Sequence, residues 1–497
     1  MKVLFANVPF VKYDAQGRIR TGPNAGSRWP WTLPGYTDYA PFPFFMAYAV
    51  SYLLHHGIEA LFYDAVASKD WDLTTVRENI SGERPDILVL ETATPTYRIA
   101  ADVARWAKRE LNCKIVLVGP HLKVFAQEVI KEPFVDHCVV GEYEHPILDI
   151  VLNGPKALSI YIFDHLDSID DLDGVNFVPF RPLSLLMNYW DPATNTSRPQ
   201  LQMYSARGCP FQCSYCQWPT VMHNYKYRVR KAELVIDEIN TVIKDYKEFF
   251  SFSRKIAHLA QGMVKNPRST VKRAFHEFVN HNNNPKFCSH TSFEIGSIFF
   301  DDDTWNVGEK RVASLCNGLK RIGLPWTMMG RTDTISNEIY DLMVDTGCVG
   351  MRFGIESFQQ RLLDTVNKRM DARKNYETIK YLLTRFSNME FHFTTMKNLP
   401  GETEEEWQKD REVLQELKSI GERSCNIVHW QTSDCIAFPG TPMWEAMVNE
   451  GKGTILNNFD LYDGSPDNDI KQAKMLVTDD DAIENPGLTL QERELTR

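Results

Sequence analysis

The chain has 497 residues with 43% hydrophobic and 12% aromatic content, a length that exceeds one ordinary core, so we expect two or three domains. The formal charge of 55 − 65 = −10 gives no reason to expect nucleic acid or an anionic membrane as a partner. There is no apolar signal segment and no run of eighteen apolar residues, and ten cysteines in so long a chain favour reduced thiols, so we predict a cytoplasmic protein without a membrane span.

Strand-like and helix-like segments alternate through residues 1–152, which we take as the first domain. The predicted strands are Val3–Ala6, Ile58–Tyr63, Asp86–Leu90, Lys114–Val118 and Val135–Val140, and the predicted helices are Phe44–His55, Leu73–Asn79, Ile99–Leu111 and Leu122–Lys131. The third strand is apolar on both faces, as buried parallel strands are. This alternation predicts a doubly wound, Rossmann-like α/β domain.

Four loops follow the strands of this domain at the edge where such folds bind ligands. The residues that we single out there are Asn7, Pro9, Thr92, Thr94, Gly119, His121, Gly141 and Glu142. Small, hydroxylated and glycine residues suit close backbone approach by a large flat cofactor. No G-x-G-x-x-G follows the first strand, which counts against a dinucleotide. The alternative is a flavodoxin-like domain without a cofactor, in which His121 only lines the pocket.

A proline-, aspartate- and asparagine-rich linker at residues 153–200 leads to a predicted strand at Gln202–Ser205 and to the loop Arg207–Cys216. Cys209, Cys213 and Cys216 have the spacing C-x3-C-x2-C in this loop. Soft thiolates favour zinc, copper(I) or an iron–sulfur cluster. Structural zinc takes four closed ligands, and no second C-x2-C pair exists to complete them. A 4Fe–4S cubane normally takes four thiolates, so three would leave one iron open.

This spacing, with Tyr215 just before the last cysteine, resembles the radical S-adenosylmethionine (SAM) enzymes. The resemblance implies a 4Fe–4S cluster on Cys209, Cys213 and Cys216, with SAM on the open iron. It also implies that one electron from the cluster cleaves SAM to methionine and a 5′-deoxyadenosyl radical. A reductant such as flavodoxin or ferredoxin is the implied electron-donating partner.

Further strands predict a partial (βα)6 TIM-like barrel over residues 201–452, with its active site at the carboxyl ends of the strands. Strand-like segments occur at Ser297–Phe300, Trp326–Arg331, Gly350–Ser357, Glu390–Met396 and Val428–Gln431. The resemblance places SAM contacts at Tyr215, Asp302, Arg331 and Glu356. Arg331 and Glu356 could equally form structural ion pairs at the barrel rim, and the acidic run at Asp302 could be a helix N-cap.

The four loops of the first domain look like the cobalamin-binding domain of a large subgroup of this family. Gly26–Pro30 and Pro41–Phe44 also resemble that subgroup. The eight loop residues singled out above are therefore the predicted cobalamin contacts. The cobalamin motif D-x-H-x-x-G is absent, so we expect no histidine on the lower face of the cobalt.

The predicted function is that of a cobalamin-dependent radical SAM methyltransferase. It would act on an unactivated carbon of a small-molecule or natural-product substrate, through a 5′-deoxyadenosyl radical and methylcobalamin. The alternative keeps both cofactors but catalyses cyclisation or rearrangement without methyl transfer. Methylthio transfer to RNA would need three more cluster cysteines in the first domain, where only Cys113 and Cys138 occur. A zinc-stabilised binding module would need a fourth ligand that we do not find.

One region departs from the family pattern. A basic, helix-compatible insert at about residues 250–290 is either a solvated helical hairpin or a docking surface or lid for an anionic substrate. Residues 453–497 are acidic and polar, which predicts a tail lying on the surface. The other cysteines read as buried structural thiols, although Cys435 near a strand end could serve catalysis.

Overall fold

The computed structural model describes residues 1–14, 16–27, 30–154, 159–172, 175–191, 196–263, 294–452 and 459–462. Two six-stranded parallel sheets organise these residues. Residues 28–29, most of the predicted insert and most of the predicted tail lie outside the described residues. In the part that is described, no helix combines the length and apolar character that a membrane span requires.

The first sheet forms from residues 2–163, with shorter strands beside it. The strands to residue 176 are β1 Lys2–Asn7, β2 Phe10–Tyr13, β3 Ile19–Gly22, β4 Leu33–Pro34, β5 Glu59–Asp64, β6 Ile87–Glu91, β7 Lys114–Val118, β8 His137–Gly141, β9 Ser159–Phe163, β10 Asp171–Leu172 and β11 Val175–Asn176. The helices are α1 Phe44–His55, α2 Ala65–Ser68, α3 Leu73–Glu83, α4 Tyr97–Glu110, α5 Leu122–Val129 and α6 Glu144–Asn153. The strand order β5-β1-β6-β7-β8-β9 is parallel throughout.

Helices cover both faces of the first sheet. Val3 and Phe5 of β1 pack into a core with α1 and α6, whereas Leu4 and Ala6 pack into a second core with α3, α4 and α5. Burial on both faces is the reason that these strands read as continuous apolar runs in the sequence. The doubly wound prediction is therefore confirmed.

One strand of the first sheet lies inside the segment predicted as a linker. Ser159–Phe163 pairs with β8 as the edge strand β9, and its fourth residue, Ile162, is 73% exposed. A five-residue edge strand with one exposed face has little apolar signal, and it stands among polar and proline-rich residues. The domain boundaries themselves stay predictions.

The second sheet forms from residues 200–434 in the order β12-β15-β16-β17-β18-β19, again parallel. The strands are β12 Gln200–Met203, β13 Ala206–Arg207, β14 Arg228–Val229, β15 Ser297–Phe300, β16 Trp326–Gly330, β17 Cys348–Glu356, β18 Glu390–Lys397 and β19 Ile427–Asp434. The helices are α7 Gln217–Val221, α8 Ala232–Met263, α9 Glu309–Ile322, α10 Asn337–Asp345, α11 Gln360–Thr365, α12 Ala372–Arg385, α13 Glu404–Arg423 and α14 Pro442–Met447. Six parallel strands with intervening helices match the predicted partial barrel.

The strands of the second sheet are apolar on one face and mostly polar on the other. In β17, Met351 and Phe353 are buried in a core with the helices, while Arg352 between them faces the opposite side. In β18, Phe391 and Phe393 join the same core and His392 lies on the other face. The open, polar face is the concave interior of the partial barrel, which we call the concave face.

Four residues of the predicted tail are described, and they pack against the rest of the protein. Phe459–Tyr462 forms a short 3-10 helix, and Tyr462 is only 2% exposed. Its ring lies 5.9 Å from that of Phe438 in the second domain. Aromatic residues in an otherwise acidic stretch account for this anchoring.

Candidate functional site

The cysteine loop lies between two short, paired strands at the carboxyl edge of the second sheet, β13 before it and β14 after it. β13 pairs with β14, and Gly208 comes next with φ +79°. A Cβ at Gly208 would stand 2.2 Å from the carbonyl oxygen of Lys226, so only glycine fits there. The loop is also anchored through Ser214, whose N–H donates to Val366 O over 2.9 Å and whose carbonyl accepts from Met443 N over 3.0 Å. The three cysteines are thus presented by a rigid loop.

The three thiols lie close enough to influence one another. Cys209 and Cys213 are buried, and Cys216 is half-buried. Burial raises the pKa of the Cys216 thiol, and the nearby Cys213 thiol and Asp303 carboxylate raise it further. The Cys209 Sγ lies 3.2 Å from Thr304 Oγ1, and burial raises the pKa of this thiol as well. Buried thiols with a raised pKa ionise readily only when they bind a metal ion, which stabilises the thiolate.

Among the described residues, no three His, Cys, Asp or Glu side chains surround a point as the ligands of one metal ion would. In a cubane cluster each cysteine binds a different iron, so the three sulfurs stand further apart than the ligands of a single ion. Three mutually interacting thiols from one loop fit that donor set. They do not fit a closed four-ligand zinc site.

Tyr215 and Glu356 lie together next to the cysteines. Tyr215 Oη donates to Glu356 Oε1 over 2.8 Å, and Lys368 Nζ donates to the same oxygen over 2.6 Å. All three residues are buried, and Glu356 has the left-handed φ of +65° at the end of β17. Burial opposes a charged lysine, but Glu356 and the Cys213 thiol raise the pKa of Lys368 overall. The result is a buried cation beside the cysteines.

Gly354 of β17 makes room for this ion pair. A Cβ at Gly354 would stand 2.8 Å from Glu356 Oε1 and 3.2 Å from Lys368 Nζ. Any larger residue would displace one of the two charged groups. The local sequence Gly354-Ile355-Glu356 therefore encodes the position of the carboxylate as well as its identity.

The other two predicted SAM contacts, Arg331 and Asp302, form hydrogen bonds with other residues of the protein. Arg331 forms a bidentate pair with Asp333 at 2.9 and 2.8 Å, and its guanidinium stacks 3.8 Å from the Phe211 ring of the cysteine loop. Asp302 accepts from Ser205 N at 2.9 Å and from its hydroxyl, and burial raises the pKa of Asp302 to about 7. Asp302 is not a helix cap, because α9 begins after Gly308. Arg331 thus contacts the cysteine loop itself, and Asp302 holds Ser205 just before that loop. The contact of either residue with SAM stays a prediction.

The buried Lys368–Glu356 pair leads to a stability prediction. We expect Lys368→Met to destabilise the protein by about 3 kcal/mol, because Glu356 would be left as a buried charge without its lysine. Lys409→Met is the matched control: it removes a lysine from Glu405 at 2.7 Å in an exposed pair and should change little. Urea unfolding of both variants measures the difference. Equal effects in the two variants would contradict the buried-charge account.

At the carboxyl edge of the first sheet, two of the predicted cobalamin contacts are glycines that allow two backbone segments to approach closely. Gly119 has φ +104°, and a Cβ there would stand 2.6 Å from the carbonyl of Thr92. Gly141 has φ +89°, and a Cβ would stand 2.0 Å from the carbonyl of Phe163. These two glycines permit close packing of neighbouring loops, which the sequence pattern had attributed to the approach of a cofactor.

The polar residues of this edge are held by internal hydrogen bonds. Asn7 Nδ2 donates to Asp64 at 2.9 Å, and its Oδ1 accepts from Ala25 N at 3.1 Å. Thr92 Oγ1 donates to Val118 O at 2.9 Å, and Pro9 is buried beside β1. These residues shape the edge, and their contact with cobalamin stays a prediction.

His121 is the predicted contact with unused hydrogen-bonding capacity in the described structure. Its Nδ1 lies 3.3 Å from Thr94 Oγ1, whereas Nε2 is buried with no partner among the described residues. The ring stacks on Tyr97 at 4.4 Å and meets Phe459 edge-on at 4.9 Å. Burial lowers the pKa of His121 to about 3, so the imidazole is neutral. A neutral, orphaned imidazole nitrogen at a ligand edge suits a polar group of a bound cofactor.

Glu142 connects the first sheet to the cysteine loop. Arg228 donates to both of its oxygens at 2.9 and 2.6 Å, His223 Nδ1 lies 2.8 Å away, and Leu166 N donates at 2.7 Å. Burial alone would raise the pKa of Glu142, but Arg207, Arg228 and His223 hold it well below its ordinary value. Protein donors therefore occupy Glu142, which acts as an inter-domain anchor in this structure.

Sequence reasoning missed the basic partners at this junction. Arg207 donates to Glu144 at 2.8 Å, and its guanidinium lies 4.4 Å from the Tyr48 ring. His223 Nε2 also lies 3.9 Å from Asp303, which stands near the cysteines. The available signal was local: Arg207 and Arg228 flank the cysteine loop, where buried arginines need carboxylates from another element.

No protein-family model matches the chain. It is similar to an uncharacterized methyltransferase of Pyrococcus horikoshii, with 22% identity over 422 residues, 82% of this chain and 78% of that protein. It is also similar to the anaerobic magnesium-protoporphyrin IX monomethyl ester cyclase of Rubrivivax gelatinosus, with 24% identity over 407 residues, 74% of this chain and 61% of that protein. The chain thus spans less than two thirds of the cyclase.

Two solved structures share its architecture. The radical SAM methyltransferase TsrM from Kitasatospora setae, with a tryptophan substrate and a SAM analogue bound, has a TM-score of 0.60 at 14% identity, over 91% of this chain and 76% of that chain. The cobalamin-dependent radical enzyme OxsB, with aqua-cobalamin and SAM bound, has a TM-score of 0.53 at 12% identity, over 94% and 63%. These comparisons confirm the predicted fold class and the predicted resemblance.

Proposed function

We propose that this chain is a cobalamin-dependent radical SAM methyltransferase that acts on an unactivated carbon of a small molecule. The observation that carries the proposal is the cysteine loop, which brings three mutually interacting thiols to the carboxyl edge of a six-stranded parallel sheet. A doubly wound domain with its ligand edge anchored to that loop through Glu142 supports a second cofactor.

The chain's own residues fit these cofactors. Cys209, Cys213 and Cys216 would hold the 4Fe–4S cluster, and the buried Lys368–Glu356 ion pair would lie beside it. His121 would offer Nε2 to the corrinoid at the edge of the first sheet. When bound, the cluster and SAM supply a carbon-centred radical and the corrinoid supplies a methyl group. The chain contributes a rigid loop, buried charges and the exclusion of water.

A second candidate, cyclisation without methyl transfer, is favoured by one observation. The cyclase of Rubrivivax gelatinosus matches 74% of this chain at slightly higher identity than the Pyrococcus methyltransferase. Both candidates use the same cysteine loop and the same two cofactors. They differ in whether the product gains a methyl group.

Anaerobic reconstitution tests the proposal. We expect the wild-type chain, treated with iron, sulfide and hydroxocobalamin and then desalted, to keep both cluster and corrinoid absorbance. With SAM labelled in its methyl group and a reductant, it should release 5′-deoxyadenosine and pass label to the corrinoid. Corrinoid binding without any label transfer would favour cyclisation. Loss of the corrinoid on desalting would remove methyl transfer through cobalamin.

A further inference from the structure

The concave face of the second sheet carries a row of side chains that neither cofactor assignment uses. Strand pairing places Met329, Arg352, His392 and His429 side by side, one on each of β16, β17, β18 and β19. Because parallel strands lie about 4.8 Å apart, these four positions span roughly 14 Å. The row lies in the interior of the barrel, where the substrate of a βα-barrel enzyme has access to the strand ends.

Arg352 is half-buried, and its contacts differ from those of the buried arginines of this protein. Arg207, Arg228 and Arg331 each donate to a carboxylate at 2.9 Å or less. Arg352 has the Asp191 carboxylate 3.5 Å from Nη1 and the sulfur of Met329 at 4.0 Å. A guanidinium has five N–H donors, and the partners given by the described residues use few of them. Because the guanidinium is half-buried, its remaining N–H groups can donate to an acceptor on a ligand.

The neighbours of Arg352 hold their orientation through contacts with one another. His392 Nε2 lies 3.1 Å from Gln431 Oε1, and His429 Nε2 lies 3.0 Å from Glu390 Oε1. The Glu390 carboxylate is thus matched by His429 on the same face. Arg352 remains the permanent cation of the row.

The distance from Arg352 to the cysteine loop indicates how long a ligand that reaches both would be. Arg352 and Glu356 are four residues apart on β17, which corresponds to roughly 13 Å along a strand. Glu356 holds Tyr215 beside the cysteines at the upper end. A molecule bound through Arg352 would therefore extend toward the cysteine loop with its far end near the reactive centre.

We propose that Arg352, with His392 beside it, binds an anionic group of the substrate, a carboxylate or a phosphate, and so selects acidic small molecules. This inference rests on the proposed function, because it places the substrate between this row and the cysteine loop. Asp191 holds the guanidinium in place in the absence of a ligand and competes with the incoming anion.

The probe is inorganic phosphate, added to the wild-type chain of 497 residues. Its binding is followed by the 31P line width, and citrate serves as a competing carboxylate. We expect Arg352→Gln to weaken phosphate binding at least about tenfold, since a charge-assisted pair is lost. Asp191→Asn should strengthen it by removing the competing carboxylate. The control is Arg385→Gln, which breaks an exposed pair with Asp341 on the outer helix layer and should leave binding unchanged.

Absence of phosphate and citrate binding by the wild type would overturn the inference. Equal binding by Arg352→Gln and Arg385→Gln would overturn it as well. If citrate displaces bound phosphate at a lower concentration than phosphate itself needs to bind, the site favours a carboxylate-bearing substrate. If citrate needs a higher concentration, the site favours a phosphate. Cluster and corrinoid absorbance of the same reconstituted wild-type sample report on the proposed function separately. Their loss with phosphate binding intact would refute that function while supporting the anion site.

Discussion

Cys213→Ala protein, reconstituted anaerobically with iron and sulfide, is expected to lose the cluster absorbance and the release of 5′-deoxyadenosine from SAM. Cys213 is the middle ligand of the proposed three-thiolate set, and its thiol interacts with both Cys209 and Cys216. Loss of outer-sphere partners alone costs a metal site ten- to a hundredfold, so loss of a ligand should lower SAM cleavage by about a hundredfold or more. Ultraviolet–visible spectra, iron content and product analysis measure the effect.

The matched control is Cys316→Ala, which removes a thiol that is equally buried but lies in the barrel core, away from the cysteine loop. That variant should keep its cluster. Cys213→Ala should also keep the corrinoid, because the first sheet does not contain this residue. A cluster that survives in Cys213→Ala, or one that is lost equally from Cys316→Ala, would contradict the assignment of the three ligands.

Much of the fold could be predicted because its signals are local. β6 and β7 are apolar runs bounded by charged or glycine residues, and burial on both faces explains that composition. β9 escaped prediction because an edge strand buries only part of its surface and therefore shows little periodicity. The aromatic contacts of Phe459 and Tyr462 were missed for a related reason. The composition of the whole segment is acidic and polar, and two aromatic residues change it little.

The candidate site divides in the same way. The cysteines and Tyr215 are within eight residues of one another, so spacing alone indicated a common site. Lys368 lies about 150 residues further along the chain, and only the turn after β17 brings it to Glu356. Sequence reasoning could nominate Asp302 and Glu142 as available carboxylates, but it could not show that Ser205 and Arg228 occupy them. Long-range hydrogen-bond partners are invisible to a pattern in one chain segment.

Glu142→Gln is expected to destabilise the protein by about 4 kcal/mol. The substitution removes the charge that Arg228 and His223 surround and leaves Arg228 as a buried cation without its partner. Because Arg228 in β14 pairs with Arg207 in β13, and these two strands enclose the cysteine loop, the loop should also loosen and the reconstituted cluster should become more sensitive to oxygen. Urea unfolding and the rate of cluster bleaching in air measure the two effects.

A double variant separates charge from shape. Replacing both partners, as in Glu142→Leu with Arg228→Leu, removes the pair together and should cost less than Glu142→Gln alone, since no isolated buried charge between these two residues remains. A double variant that is as unstable as the sum of its two single variants would show that the residues act independently.

The pH dependence follows from the same carboxylate. The folded pKa of Glu142 is held below the ordinary value of 4.5 by its basic neighbours, so the unfolded chain binds a proton more readily than the folded one. The stability that Glu142 supplies is therefore complete above pH 4.5 and is lost as the pH falls toward the folded pKa. Wild type should lose more stability than Glu142→Gln as the pH falls below 4.5, measured by urea unfolding at each pH. Parallel stability curves for the two proteins over that range would mean that Glu142 is not the inter-domain anchor that its hydrogen bonds indicate.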